Sequence, residues 1–333
     1  MPTTTTSDEV AGNVVDPHGG QALILRIRFL LAMAVSATIF WYVGWWVTVP
    51  VDPQGPVSLL LVDQGVVAMA ELLGLAVVAS GLAVAICGPG VIATPSGSAH
   101  RGPLAIAVGL ASLGLHGAQL DALVLYRLNP PGAGAIGLDP FPVWALIAEC
   151  WLWLALISVG FVVGRWVEGW FSPGQTAPPA SLPTADHSSD VRQGLGIIAI
   201  TALVAWTVLS FSIGTDANPI LKGQIYFSLG LSFLLGALAA HWFLRTDSRT
   251  WALVAVAVVA TVAYVFGEPD QDTITAAREL GTHVNIRPFA RPLPIEFASM
   301  GAAGVLLEGE AMRFFLAMFG LRSEEARKPT ADA

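Results

Sequence analysis

The stretch QGVVAMAELLGLAVVASGLAVAIC, residues 64–87, is apolar along its length apart from Gln64, Glu71 and Ser80. An α-helix rises about 1.5 Å per residue, and the hydrocarbon core of a bilayer is about 30 Å thick, so roughly 20 apolar residues suffice to cross it. This stretch therefore predicts a transmembrane helix.

Seven other stretches have the same character. Together they predict an all-α integral membrane protein with about eight transmembrane helices. The last is the least regular, because Glu308, Glu310 and Arg313 interrupt it and are also compatible with a second half at the membrane interface. The predicted helices lie near residues 26–49, 64–87, 103–127, 142–166, 194–214, 222–244, 250–267 and 294–319.

The composition of the chain agrees with this class. Of its 333 residues, 54% are hydrophobic and 12% are charged, whereas soluble domains carry about 25% charged residues. A formal net charge of −8 disfavours nucleic acid as a partner, because phosphate binding needs clustered basic side chains. The two cysteines, Cys87 and Cys150, form no metal or redox spacing. The sequence identifies no cofactor.

The basic residues predict how the chain is oriented. The first apolar run, after Arg26 and Arg28, is too long for a signal-peptide core and is predicted to be retained as a helix. Lys and Arg concentrate in cytoplasmic loops, and most of them fall on the side that holds both termini. We therefore expect a multi-pass protein of the inner (cytoplasmic) membrane with both termini in the cytoplasm.

A Pro-rich segment divides the chain. Pro173, Pro178, Pro179 and Pro183 lie among Ser, Thr and Asp residues, a composition typical of a linker. The predicted parts are a polar cytoplasmic N-terminus (1–25), a first four-helix unit (26–171), a cytoplasmic linker (172–193), a second four-helix unit (194–320) with an outer loop (268–293), and a cytoplasmic tail (321–333).

The two units have similar sequence features. Glu71-Leu-Leu-Gly-Leu aligns without a gap on Phe227-Ser-Leu-Gly-Leu, and Pro142 and Pro294 open the last helix of each unit. Units of four helices would have the same orientation in the membrane, as in parallel repeats about an axis along the membrane normal. The sequence thus predicts two parallel four-helix repeats.

The first unit resembles a known family. Its first helix opens with Arg, a Pro-containing outer loop follows, and the second helix reads ELLGLAVVASGL from Glu71. This pattern resembles the DoxX-like four-helix membrane proteins. The resemblance covers at most the first 170 residues and implies a four-helix bundle associated with membrane redox or quinone-linked systems; it identifies no catalytic residue.

Polar residues inside predicted membrane helices are candidate functional residues, because they are costly in a bilayer. Ser112, His116 and Gln119 recur at helical spacing and predict a polar stripe on the third helix. Glu71 on the second helix and Glu149 on the fourth lie at a similar depth. Two carboxylates and an imidazole suit a divalent metal or a proton relay. The alternative is that each group only hydrogen-bonds a neighbouring helix and holds the bundle together.

Three functions are compatible with these features. The first is a membrane redox or quinone-linked accessory subunit, the second a small-solute transporter or permease, and the third an assembly or scaffold protein without chemistry. Whether the chain is an enzyme stays open. The expected partners are the lipid bilayer and other membrane subunits.

Overall fold

The fold is known from a computed structural model, which describes residues 17–49, 55–62, 64–88, 100–128, 141–171, 187–213, 221–245, 249–280, 284 and 286–318. Within these residues the protein is helical and has no strand. A π-helical turn, Phe40–Gly44, joins α1 to α2, and short 3-10 turns lie at Leu59–Leu61 and Pro288–Ala290. The helices are α1 (Pro17–Ile39), α2 (Trp45–Thr48), α3 (Gly65–Cys87), α4 (Arg101–Gly114), α5 (Leu120–Leu128), α6 (Val143–Phe171), α7 (His187–Ser212), α8 (Lys222–Leu244), α9 (Arg249–Gly267), α10 (Gln271–Leu280) and α11 (Pro294–Met318).

Six helices in this part of the chain are long and apolar enough to span a membrane, which fits a multi-pass membrane protein. The third predicted span, 103–127, is not one continuous helix, because α4 ends at Gly114 and α5 begins at Leu120. The eighth, α11, has the length, but acidic residues interrupt it and it is not among the six. The six spans are Leu23–Thr48, Gly65–Cys87, Val143–Val167, Val191–Ser212, Lys222–Leu244 and Arg249–Gly267.

The helix bounds also adjust the predicted segments. α1 begins at Pro17, inside the predicted polar N-terminus, and residues 187–193 of the predicted linker form the start of α7. The rest of that linker, the first 16 residues and the tail 321–333 lie outside the described residues. In the outer loop 268–293, α10 covers Gln271–Leu280, close to the helix over 273–280 that Asp272 and Gly281 predict.

The helices pack as two similar groups. In the first half, α1 and α6 each contact both α3 and α4; in the second half, α7 and α11 each contact both α8 and α9. The halves meet where α11 packs against α4 and α6, and where α6 packs against α9. One hydrophobic cluster runs through both halves, so the described helices form one packed bundle.

Small residues allow α4 and α6 to approach closely. A methyl group at Gly160 of α6 would overlap the backbone of Gly102 and Pro103, at the start of α4. The hydroxyl of Ser80 in α3 donates to the Gly160 carbonyl at 3.4 Å, so three helices meet at this point. Gly160 therefore acts as the packing residue that its GxxxG spacing with Gly164 predicts.

The close approach at Gly160 leads to a stability prediction. Gly160→Ala should lower the free energy of unfolding by about 1–3 kcal/mol, because the added methyl group can be accommodated only if two backbones move apart. Gly169→Ala on the same helix is the control, since a methyl group there meets no atom within 4 Å. Thermal unfolding of the purified protein in detergent measures both, and equal midpoints for the two variants would contradict the prediction.

Candidate functional site

His116 lies just after the end of α4 and packs against the first helix. Its Nε2 donates to the Trp41 carbonyl at 2.9 Å. The ring lies 4.7 Å from the Trp45 ring, stacked at 13°, and 3.6 Å from the Trp41 ring. Trp41 belongs to the π-helical turn Phe40–Gly44, and such single turns are frequent at functional sites. The imidazole is therefore held by two indole rings and one backbone carbonyl.

Ser112 joins the same two helices one turn earlier. Its hydroxyl lies 2.9 Å from the Ala37 carbonyl of α1 and 2.6 Å from the Gly109 carbonyl of its own helix. Ser36 reciprocates by donating to the Ala105 carbonyl at 2.5 Å. These contacts make a polar seam between α1 and α4, the interhelical role that the structural alternative predicts.

The predicted polar stripe does not form along one helix. Ser112 is on α4, His116 is in the turn after it, and Gln119 directly precedes α5. The helical spacing assumed for 103–127 fails because the chain leaves the helix after Gly114. That part of the prediction is wrong, although Ser112 contacts α1 and His116 contacts the π-helical turn and α2 that continue it.

Glu149 is buried and holds the segment between α2 and α3. Its carboxylate accepts from the Ser58 hydroxyl at 2.7 Å, the Leu59 amide at 2.9 Å and the Trp153 indole at 3.1 Å. Three donors satisfy a buried carboxylate better than one, because each replaces a lost hydrogen bond to water. Glu149 thereby fixes residues 58–59 onto α6.

Glu71 has a different environment, because its side chain is exposed on the outer face of α3. Ala70 and Gly74 are exposed on the same stretch, and a methyl group built at Gly74 would meet no atom within 4 Å. Glu71, His116 and Glu149 are therefore not gathered around one point. Among the described residues, no group of three His, Cys, Asp or Glu side chains could hold a metal ion.

A buried polar cluster joins the two halves. Lys222, the first residue of α8, donates to the Gly114 carbonyl at 2.5 Å and lies 3.5 Å from the Glu296 carboxylate of α11. The Tyr226 hydroxyl donates to the Ala111 carbonyl at 2.9 Å. Two carbonyls at the end of α4 thus receive donors from the second half. A cation there also complements the negative end of the helix dipole.

The residues of this cluster were absent from the candidate set that the sequence predicts. Lys222 and Glu296 lie at the starts of two helices that are predicted to begin on the same side of the membrane. That common side is the feature of the sequence that could have indicated their pairing. The pairing itself depends on which helices pack together, and that is tertiary information.

A second ionic cluster lies at the opposite end of the second half. Glu308 of α11 is 3.3 Å from His241 of α8 and 3.7 Å from Arg249 of α9. Three helices are linked through one buried carboxylate. The side chain of His241 is 35% exposed and takes part in this ionic contact.

Comparisons with known proteins add no assignment to this arrangement. No protein-family model, no curated protein and no solved structure matches the chain. The resemblance to DoxX-like proteins thus stays a prediction carried by the segment that begins at Glu71.

The cluster at Lys222 predicts strong energetic coupling. Lys222→Met should cost about 3–5 kcal/mol, because it leaves the Glu296 carboxylate buried without its cation. Adding Glu296→Gln should then cost less than it does in the wild-type background, since the orphaned charge is gone. A double-mutant cycle on thermal or denaturant unfolding in detergent measures this coupling.

A matched control uses the other end of the bundle. Lys222→Met combined with Glu308→Gln should be additive, because α8 and α11 hold these residues on the order of 20 Å apart at about 1.5 Å per residue. Additivity in the Lys222 and Glu296 pair as well would contradict the proposed coupling.

Proposed function

We propose that this protein is a membrane-embedded accessory subunit that docks another membrane protein on the face of α3 around Glu71. Glu71 carries the argument, because it is an ionisable side chain exposed on the outer surface of a helix long and apolar enough to span the membrane. It lies about 9 Å along α3 from Gly65, at about 1.5 Å per residue. Such groups normally face protein or water, since exposure to lipid costs on the order of a few kcal/mol.

The surroundings of Glu71 favour a helix as the missing neighbour. Ala70 and Gly74 leave a shallow surface beside it, and small residues at this spacing let the backbones of two membrane helices come close. The exposed residues Val67 and Val78 continue the same face. The partner helix is expected to carry a hydrogen-bond donor at the depth of Glu71.

The other candidate residues support a structural reading of the interior. Ser112 and His116 bond the backbone of the first helix, and Glu149 receives three donors from the outer loop and α6. Glu71 differs from them in being directed away from the bundle. We therefore assign the interior groups to holding the fold and Glu71 to assembly.

We also propose eight membrane passages arranged as two parallel four-helix repeats. The support is the packing pattern. The contacts among α1, α3, α4 and α6 are repeated, in the same order, among α7, α8, α9 and α11. In the predicted alignment Glu71 corresponds to Phe227, which is 67% exposed. An apolar residue there suits lipid, so the docking face belongs to the first half alone.

The class of complex that we propose is a membrane redox or quinone-linked system. Its support is the DoxX-like sequence around Glu71, which is the same face that we assign to docking. A solute transporter has less support, because the break after α4 has no equivalent within α9, and matched breaks in both halves are typical of transporters.

The docking proposal predicts that Glu71→Leu separates the protein from its complex. Leucine removes the hydrogen-bonding group and is favourable against lipid. The isolated Glu71→Leu subunit should therefore keep the thermal midpoint of the wild type, whereas the native complex should no longer contain the subunit. Native electrophoresis of membranes solubilised in a mild detergent measures the size of the complex. The absorption spectrum of the purified complex tests whether it contains haem or flavin, as a redox system would. Leu203→Ala is the control, because Leu203 is also exposed on a membrane-length helix, α7.

Two outcomes contradict this proposal. One is an assembly of the same size with Glu71→Leu as with wild type. The other is migration of the wild-type chain as a single copy in every mild detergent. A complex of two copies of this chain, rather than two different proteins, would redefine the partner as the chain itself.

The proposed orientation is tested by cysteine labelling in intact cells. Thr275→Cys, on the exposed face of α10, should react with a membrane-impermeant maleimide from outside. Ser181→Cys, in the predicted linker, should react only after permeabilisation. The native Cys87 and Cys150 are buried and give a low background. Labelling of Ser181→Cys from outside, with Thr275→Cys reacting only after permeabilisation, would contradict the proposed orientation.

A further inference from the structure

A small cavity lies at the end of α8, beside α11. It has a volume of about 430 Å³ and is lined by His241, Trp242, Arg245 and Met312. Two of these side chains are basic and two are apolar. A ligand that fits this lining has an anionic part and a hydrophobic part.

Arg245 occupies an unusual backbone position beside this cavity. It ends α8 in the left-handed region, with φ 52° and ψ 32°, and its amide donates to the His241 carbonyl at 2.8 Å. Within the described part of the chain it is the one non-glycine residue with positive φ. Glycine is the usual residue here because it avoids the steric cost. An arginine kept at a position that disfavours it points to a use for its side chain.

The ionic cluster behind the cavity supports this use. Glu308 is buried and is shared between His241 and Arg249, so its charge is already committed. Arg245 is exposed and stands outside this cluster. The cavity thus has a guanidinium on its open side, and a guanidinium matches the geometry of a phosphate.

The neighbouring aromatic residues place the cavity at the membrane surface. Trp242 and Phe243 are 71% and 73% exposed at the end of α8. Exposed aromatic rings at the end of a membrane helix are typical of the boundary between lipid and water. Basic pockets between helices at this boundary bind the headgroups of anionic lipids.

We propose that this cavity binds the headgroup phosphate of an anionic phospholipid. Arg245 is the phosphate ligand, His241 lines the cavity with its Nδ1 held by Glu308, and Trp242 and Met312 contact the glycerol and the first methylenes. The ligand enters from the leaflet on the side where α8 ends. Neither the docking face on α3 nor the repeat is needed for this site.

The experiment uses the full-length protein, purified and delipidated in detergent, and three probes. These are dioleoyl-phosphatidylglycerol, dioleoyl-phosphatidylcholine and inorganic phosphate. Phosphatidylglycerol should raise the thermal midpoint saturably, whereas phosphatidylcholine with the same acyl chains and phosphate alone should not. Native mass spectrometry gives the stoichiometry, which should be one tightly held phosphatidylglycerol per chain.

Variants at Arg245 separate this site from general attraction of anionic lipid. Arg245→Asn tolerates the left-handed backbone and should weaken phosphatidylglycerol binding about fivefold, whereas Arg245→Lys should retain most of it. Arg192→Asn, an exposed arginine at the start of α7 on the same side, should bind as wild type does. If Arg245→Asn does not fold, Arg245→Gly provides the same test with an unstrained backbone.

Three results overturn the proposal. Equal shifts with phosphatidylcholine would remove the anionic headgroup as the determinant. A shift with inorganic phosphate alone would make the ligand a free anion and not a lipid. Equal losses at Arg245 and Arg192 would mean a diffuse surface effect.

Discussion

The carbonyl end of α4 is the point on which the two halves depend. At the end of α4 the amides of Leu115 and His116 donate to the carbonyls of Ala111, Ser112 and Leu113, and the Gly114 carbonyl follows them. A carbonyl without a donor is expensive where water is absent. Tyr226 and Lys222 of the second half donate to two of these carbonyls, and Glu296 balances the charge of the lysine. The end of α4 is therefore held by two donors from α8, and α11 supplies the counter-charge of one of them.

This dependence explains how the polar groups are distributed. At one end of the bundle, Lys222 and Glu296 link α8 and α11 to α4; at the other, Glu308 links α11 to α8 and α9. α11 takes part in both clusters, so it is the helix that ties the second half together and to the first. The acidic residues of the second half therefore have a structural role, because Glu296 and Glu308 hold these junctions.

Hydropathy predicts most of the fold for a simple physical reason. A helix that crosses a bilayer must be apolar over its length, so spans such as Gly65–Cys87 and Lys222–Leu244 agree with the predicted stretches to within a residue. The break after Gly114 escapes this criterion, because a window of about 20 residues averages His116 and Gln119 with their apolar flanks and the break contains no proline. Gly114 and Gly117 are the local hint, and glycine is too common in this chain to be decisive.

The sequence predicts which residues are candidates for the site but not how they are arranged. The sequence identifies Glu71, Ser112, His116 and Glu149 as polar groups among apolar neighbours, and that property is local. Whether each one faces a helix, a loop or the outside depends on how the helices are rotated about their axes. Because α4 ends at Gly114, His116 lies in the turn after it and stacks on Trp45. Glu149 bonds to Ser58.

The two halves use their polar groups differently, because α4 ends at Gly114 whereas α9 is continuous to Gly267. If the halves arose from one ancestral four-helix unit, the copy with the shortened third helix needs donors from the other copy, and the copy with the unbroken α9 supplies them. The polar groups of the first half can then face inward to its own loop, through Glu149, or outward, through Glu71. In the second half, Lys222 and Glu296 belong to the joint with α4, whereas Glu308 links α11 to α8 and α9. Arg245 is exposed at the end of α8.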